Sequence, residues 1–120
     1  MQKSDEFDIE LNLKDSYGKT AFMFACINGT STIAGMLILK STEFNINLNA
    51  KDNRGMTAFH WACLYGYASI VKIMVENANS FKIDFISKDL AGKTGFQYAK
   101  IHKRYDVVNV ITRKMPDIAF

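Results

Sequence analysis

The side chains with the clearest chemical potential are two cysteines and two histidines, at positions 26, 60, 63 and 102. His60 and Cys63 are three residues apart, a spacing that puts both on one face of a helix, where an imidazole could serve a thiol nucleophile as its base. No third residue that would orient the imidazole is evident. The four side chains follow one another at intervals of 34, 3 and 39 residues, which match no compact zinc-ligand pattern. We therefore expect no enzyme, no metal or cofactor site and no small-molecule substrate.

Three of these four residues belong to a repeated segment or directly follow it. His60 lies inside one copy, and Cys26 and Cys63 each come directly after a copy. The segment KDSYGKTAFMFA, which starts at Lys14, returns in similar form from Lys51 and again from Lys88, each time 37 residues later. A fixed period of this length indicates a stacked array of small units rather than one core around a pocket. Six positions are identical in all three copies. In the first copy they are Lys14, Asp15, Gly18, Thr20, Phe22 and Ala25.

Each copy predicts a turn, a short helix and a longer second helix. An Asp followed three residues later by Gly favours a tight turn, and the Thr after it is suited to cap a helix. Gly29 and Gly66 would end the first helix in the left-handed conformation, whereas the third copy has His102-Lys103 there, a weaker stop. Apolar residues then recur at i, i+1, i+3 and i+4 from Ile33 onward, which is typical of a helix with one apolar face.

These residues resemble the ankyrin repeat. The T-P-L-H-x-A signature of that family is similar to residues 20–25, 57–62 and 94–99, and the resemblance covers about residues 7 to 113. It implies an all-α solenoid of stacked helix-turn-helix units joined by extended arms and β-turns.

Two departures from the family pattern carry structural expectations. The family histidine survives only as His60, with Met23 and Gln97 in its place elsewhere, so we expect its side-chain bond to be lost in two repeats. The period is 37 residues where the family has about 33. The extra residues fall after the second helix, near 40–44 and 77–81, and predict a longer second helix or a longer link without loss of register.

The repeats set the domain boundaries. We expect one domain over residues 1–120, with the segments arm 7–13, repeats 14–50, 51–87 and 88–114, and tail 115–120. The pattern Phe-x-Ile-x-Leu at residues 7–11 is in phase with residues 44–48, so the arm corresponds to the end of a preceding repeat. Either the array was cut from a longer protein or it begins with a half repeat, and we favour the first interpretation.

Composition and cysteine spacing bear on the compartment. There is no long uncharged apolar run and no charged-then-apolar start, so we expect neither membrane insertion nor a signal peptide. Cys26 and Cys63 occupy equivalent points of neighbouring helices, about 8–10 Å apart, which is beyond the roughly 7 Å that a disulfide allows. Free thiols fit a reducing compartment, so we expect an intracellular protein, cytoplasmic or nuclear.

The resemblance implies a protein–protein interaction module that binds its partner on the concave face, through turn tips and first helices. Lys14, Lys51 and Lys88 form a ladder of like charges, which favours an acidic protein and opposes self-association, although simple solvation of turn residues also explains them. We therefore expect a monomer. The candidate partner-binding residues, carried over by position, are Tyr17, Lys19, Phe24, Arg54, Met56, Trp61, Leu64, Tyr65, Tyr98 and His102.

Three alternatives remain open at this point. The equivalent aromatic residues Phe24, Trp61 and Tyr98 could form an exposed stripe or fill the packing between repeats. The chain could be a structural spacer or end-cap of a longer array. Residues 88–114 hold seven bases against two acids, so weak binding of anions or nucleic acid through the third repeat is a further, less favoured reading.

Overall fold

The computed structural model describes residues 11–120, and this part of the chain contains helices and no strand. Residues 7–10 of the predicted arm lie outside the described residues. The helices are α1 Ala21–Asn28, α2 Ser31–Leu39, α3 Ala58–Tyr65, α4 Ala68–Glu76, the single turn α5 Ala78–Phe81, α6 Gly95–Ile101, α7 Tyr105–Lys114 and a 3-10 helix Pro116–Ile118. The predicted all-α class is confirmed.

Three helical pairs stack in a row. Helix α3 packs between α1 and α6, and α4 packs between α2 and α7, so first helices contact first helices and second helices contact second helices. The shared phenylalanine of each repeat, Phe22, Phe59 and Phe96, is buried in this stack. The principal extents of 45 × 28 × 22 Å describe the elongated body that such stacking produces.

The predicted turns form and pair with one another. In the first turn Asp15 Oδ1 accepts hydrogen bonds from the amides of Tyr17 and Lys19, at 2.9 and 2.8 Å, and Gly18 is left-handed with φ 80°. The same arrangement recurs at residues 52–56 and 89–93. Neighbouring turns are joined by backbone bonds, because the amide of Asn53 donates to Tyr17 O and the amide of Leu90 to Arg54 O, both at 2.9 Å.

The helix boundaries follow the predicted caps. Thr20, Thr57 and Thr94 each accept a hydrogen bond from the amide three residues on. Gly29 and Gly66 end α1 and α3 in the left-handed region, with φ 74° and 77°. In the third repeat the left-handed position is occupied by Lys103 at φ 57°, so the chain adopts this conformation even without glycine.

The extra residues of the long period form a longer link, which is one of the two predicted outcomes. After α4 they make the separate turn α5, and after α2 the amide of Phe44 donates to Lys40 O at 2.9 Å. Each extra turn ends at a left-handed residue, Asn45 or Lys82. The second helices therefore keep their length, and the link turns back toward the stack.

Asparagine side chains hold the links in register. Asn12 donates to Asn45 O at 2.9 Å and accepts from the amide of Asn47 at 2.8 Å. Its equivalent, Asn49, makes the same two bonds to Lys82 O and to the amide of Asp84. Each asparagine thus joins two successive links by two hydrogen bonds from one side chain.

Candidate partner-binding surface

His60 and Cys63, the pair whose spacing suggested a nucleophile and its base, are both buried. His60 Nδ1 accepts from the amide of Thr57 at 3.1 Å, and Nε2 donates to Lys93 O in the next repeat at 2.9 Å. Burial lowers the pKa of His60, so the imidazole is held neutral. Burial also raises the pKa of the Cys63 thiol well above its ordinary value. Neither group is presented to a substrate.

Two further predictions concern the state of the cysteines and the side-chain hydrogen bond at the start of each first helix. Cys26 and Cys63 are free and buried, as predicted. The prediction that two repeats lose the histidine bond is wrong for the third repeat, because Gln97 Oε1 accepts from the amide of Thr94 at 2.9 Å. An amide oxygen at this position satisfies the same helix-start donor as an imidazole nitrogen does.

The aromatic position of the first helices has a different role in each repeat. Trp61 Nε1 donates to Asp52 Oδ2 at 3.0 Å, and the indole is only 7% exposed. Tyr98 is half-buried, and its hydroxyl donates to Asp89 Oδ2. Phe24 has no donor and is 40% exposed. Of the two open alternatives, an exposed stripe and packing between repeats, Trp61 follows the second, with Lys19 of the first repeat against its ring, whereas Phe24 is exposed.

The Asp89–Tyr98 pair perturbs both titrations. Burial and the hydrogen bond to Asp89 raise the pKa of Tyr98 to about 12. Burial alone would raise the pKa of Asp89, but the hydrogen bonds from the Tyr98 hydroxyl and the Lys93 amide outweigh it, so this pKa is lowered. The carboxylate of Asp89 is thus occupied as a hydrogen-bond acceptor inside the fold.

A cation lies among the aromatic rings that join the first two repeats. Lys19 Nζ is 5.2 Å from the ring centre of Trp61 and 5.1 Å from that of Tyr17. Tyr65 stacks on Trp61 at 5.9 Å with planes 15° apart, and Tyr67 lies 6.1 Å from Tyr65. We call these five residues the aromatic cluster. Its exposed members are Tyr17 and Tyr65, at 67% and 41%.

Two residues of this region were missed by sequence reasoning. Tyr67 packs its ring where a Cβ on Gly29 would stand, at 2.7 Å, and Arg104 lies in the same way over Gly66. Arg104 Nε also donates to Leu64 O at 2.9 Å. The sequence could have indicated both residues, because each directly follows the left-handed residue that ends the first helix of its repeat. From there the large side chain of Tyr67 or Arg104 lies over the glycine of the preceding repeat.

Charge is unevenly divided between the two sides of the stack. The turn and first-helix segments 14–29, 51–66 and 88–103 hold eight Lys or Arg against three Asp, whereas the rest of residues 11–120 holds six against five acids. The ion pair found within residues 11–120 is Lys40–Glu43, which follows α2. The cations of the turn-and-first-helix face are therefore not neutralised by carboxylates of the described chain.

The structure distributes the predicted site residues over three environments. Five are exposed and three are half-buried, but Met56 and Trp61 are buried. Met56 was predicted to be an accessible turn tip, and this is wrong, because its amide closes the turn on Asp52 at 3.0 Å and its side chain folds beneath. The exposed residues are Tyr17, Phe24, Arg54, Tyr65 and His102, and the half-buried residues are Lys19, Leu64 and Tyr98.

Two shallow cavities lie in this region, one beside Tyr65 of the aromatic cluster and one beside Tyr98 in the third repeat. One of about 280 Å³ is lined by Tyr65, Gly66 and residues 103–106. Another of about 370 Å³ lies between the second and third turns, lined by Arg54, Met56 and residues 89–91, with Tyr98. Tyr98 stacks on His102 at 6.4 Å. Both cavities are open, unlike the enclosed clefts that bury most of a small-molecule ligand.

The family model for ankyrin repeats (3 copies) matches residues 4–89 and residues 44–119. No curated protein matches the chain. Within residues 11–120 no helix is long and apolar enough to cross a membrane.

Proposed function

Because the chain belongs to the ankyrin-repeat family, we propose that it binds an acidic segment of a protein partner on its turn-and-first-helix face. Ankyrin repeats are generally protein–protein interaction modules. The observation that carries the proposal is Lys19, a cation between the rings of Tyr17 and Trp61 on a face rich in cations and poor in acids. Charge complementarity of this kind speeds association and excludes partners of like charge.

Tyr65 would be the central contact. It is 41% exposed, and its ring rests on Trp61, which is itself anchored to Asp52. A ring held in this way loses little conformational freedom on binding, and such rigid aromatic residues dominate interface energies. Trp61 acts from beneath, as support for Tyr65 and Lys19. Arg54 and Tyr17 would form the rim.

A protein partner fits this surface better than a nucleic acid. Binding of single strands needs open aromatic faces on which bases stack. Here one face of Tyr65 is covered by Trp61, and the Trp61 ring is buried. Exposed apolar side chains, Leu90 at 81% and Ile101 at 55%, are interspersed with the cations and suit an amphipathic acidic peptide.

The test is a titration with a fluorescein-labelled peptide of alternating Glu and Leu. Tyr65→Ala should weaken binding by about thirtyfold, the ratio that a hot spot of about 2 kcal/mol gives. Lys19→Ser with Arg54→Ser should weaken it by about tenfold at low salt. The charge-matched control is Lys72→Ser with Lys114→Ser, on the exposed surface of α4 and α7, and it should leave the affinity unchanged.

Two results would overturn the proposal. One is equal loss of affinity in the two charge variants, which would show attraction by net charge without a site. The other is binding of single-stranded DNA more tightly than of the peptide, with Tyr65 dispensable. Helical circular dichroism of each variant checks that the fold is intact.

The proposal also covers the oligomeric state, the compartment and the absence of catalysis. We propose a monomer inside the cell, cytoplasmic or nuclear, with no catalytic role. The support is the ladder Lys14, Lys51 and Lys88, which opposes self-association, and the free thiols Cys26 and Cys63. The commitment of both His60 ring nitrogens to backbone groups supports the absence of catalysis.

A second candidate function, the C-terminal end-cap of a longer array, is favoured by the outer side of the third repeat. The position held by buried Cys26 and Cys63 is exposed Lys100 in this repeat, and its ammonium lies 5.3 Å from the Phe96 ring centre. The 3-10 helix packs against α7. A polar outer side is what terminal repeats of such arrays require.

A further inference from the structure

The opposite end of the stack has an apolar side that nothing in residues 11–120 covers. Ile33 on α2 is 51% exposed, whereas its equivalents Ile70 on α4 and Val107 on α7 are fully buried. Ile70 and Val107 are buried because the second helix of the preceding repeat packs on their own helix. Ile33 therefore occupies the same position in the repeat, but no second helix of a preceding repeat packs on it within residues 11–120.

Further positions show the same difference between the first repeat and the second. Leu37 is only half-buried, but its equivalent Met74 is fully buried. Leu13 is 62% exposed where Ala50 is buried, and Phe24 is exposed where Trp61 is buried. We call Leu13, Phe24, Ile33 and Leu37 the open end.

We infer that the open end is a docking surface for one more helical pair of this same repeat, joined in register ahead of Lys14. The buried state of Ile70 beneath α2 shows which kind of helix covers this position. The amino-acid pattern of residues 7–11 repeats that of residues 44–48, which follow such a pair. The inference deepens the end-cap candidate and does not depend on the acidic-peptide site.

A second copy of the chain is a poorer occupant. Head-to-tail stacking would bring the open end against the outer side of the third repeat, where Lys100 and Thr112 are exposed. These positions are Cys63 and Val75 in the second repeat, where they are buried. An ammonium and a hydroxyl opposite Ile33 would lose their hydration without gaining a partner.

The experiment uses Ile33→Cys as a reporter. Cys26 and Cys63 are buried, so an alkylating reagent should modify position 33 alone in the folded monomer. In a chimera, a copy of residues 14–50 with its own cysteine changed to Ala replaces residues 1–13, which keeps the 37-residue register. Alkylation at position 33 should then slow by about tenfold or more, and the thermal midpoint should rise. The matched control carries Ile38→Lys in the copy only, at the position whose side chain faces the next repeat, and should restore fast alkylation.

Several results would overturn the inference. They are slow alkylation in the parent chain, protection that grows with parent concentration because a second copy covers the face, and fast alkylation in a chimera that has gained the expected helix content. A variant that needs no chimera tests the same point. Ile33→Lys should leave the unfolding midpoint of the parent nearly unchanged, whereas Ile70→Lys should abolish folding, and equal damage from both would contradict an open end.

The two proposals can fail separately. Ile33→Lys should still bind the Glu/Leu peptide with unchanged affinity. The Lys19→Ser, Arg54→Ser variant should show unchanged alkylation of Ile33→Cys in both parent and chimera. Failure of the parent chain to bind the peptide, with normal docking in the chimera, would reject the acidic-peptide site alone.

Discussion

The imidazole of His60 joins two repeats, because Nδ1 accepts from Thr57 at the start of its own helix while Nε2 donates to Lys93 O at 2.9 Å in the next repeat. One neutral side chain thus caps α3 and ties the second turn region to the third. This link depends on the protonation state, since an imidazolium cannot accept the Thr57 amide.

Stability should fall in mildly acidic solution because of His60. Burial is the main cause of its lowered pKa, although Lys93 O and the charges of Asp89 and Asp52 oppose the shift and that of Lys51 adds to it. The unfolded chain then binds the proton more readily, so the stabilisation is complete above the ordinary value of 6.5 and is lost as the pH falls from there through the folded pKa. Urea unfolding from pH 8 to 5 measures this.

The control for that pH dependence is His60→Gln. Gln97 shows that a glutamine can keep the capping bond. The variant should lose about 1 kcal/mol with the bond to Lys93 O, and its stability should no longer vary in this pH range. A pH dependence identical to that of the parent would place its origin elsewhere.

Removing the turn-to-helix hydrogen bonds should destabilise the second and third repeats. Trp61→Phe reproduces the ring of Phe24 and leaves Asp52 Oδ2 without its donor, at a cost of about 1.5–3 kcal/mol. Tyr98→Phe removes the donor to Asp89 Oδ2, and should also abolish the tyrosine titration near a pKa of about 12. Denaturation followed by circular dichroism, with ultraviolet titration, measures both. A neutral Trp61→Phe would mean that the ring alone supports the turn.

Two glycines separate backbone strain from packing between turns. Gly18 and Gly92 are both left-handed, with φ 80° and 78°. A Cβ on Gly18 would lie 2.8 Å from the Asn53 backbone nitrogen, whereas one on Gly92 would meet nothing within 4 Å. Gly92→Ala should therefore cost about 1–2 kcal/mol of strain alone, and Gly18→Ala measurably more. Equal unfolding midpoints would contradict the close approach of the turns.

The middle repeat should be the most sensitive part of the core. Phe59 is buried, and its ring lies 4.8 Å from that of Phe85 in an edge-to-face arrangement and close against Gly95. Phe59→Ala should cost about 3–5 kcal/mol. Since each repeat is supported only by its neighbours, we expect the loss of cooperative unfolding by calorimetry. A cooperative transition with a small shift would contradict the predicted sensitivity of the middle repeat.

The amino-acid sequence by itself determined the number of units and their internal order. The Asp, Gly and Thr of each copy act over three to five residues, so the turn, the cap and the helix start could be predicted from spacing alone. The same local logic predicted Gly29 and Gly66 as helix ends, and the interval between Cys26 and Cys63 predicted free thiols.

Only the tertiary structure decided which equivalent residues are buried. Ile33 and Ile70 have the same side chain and the same repeat position, yet one is half exposed and the other fully buried, because burial depends on whether another helical pair lies alongside. In the same way Met56 folds beneath its own turn and is no surface contact. The roles of Phe24 and Trp61 also diverge, since an indole N–H can reach Asp52 and a phenyl ring has nothing to donate. The first outcome depends on a contact between repeats and the other two on side-chain packing within a repeat, and a local pattern contains neither.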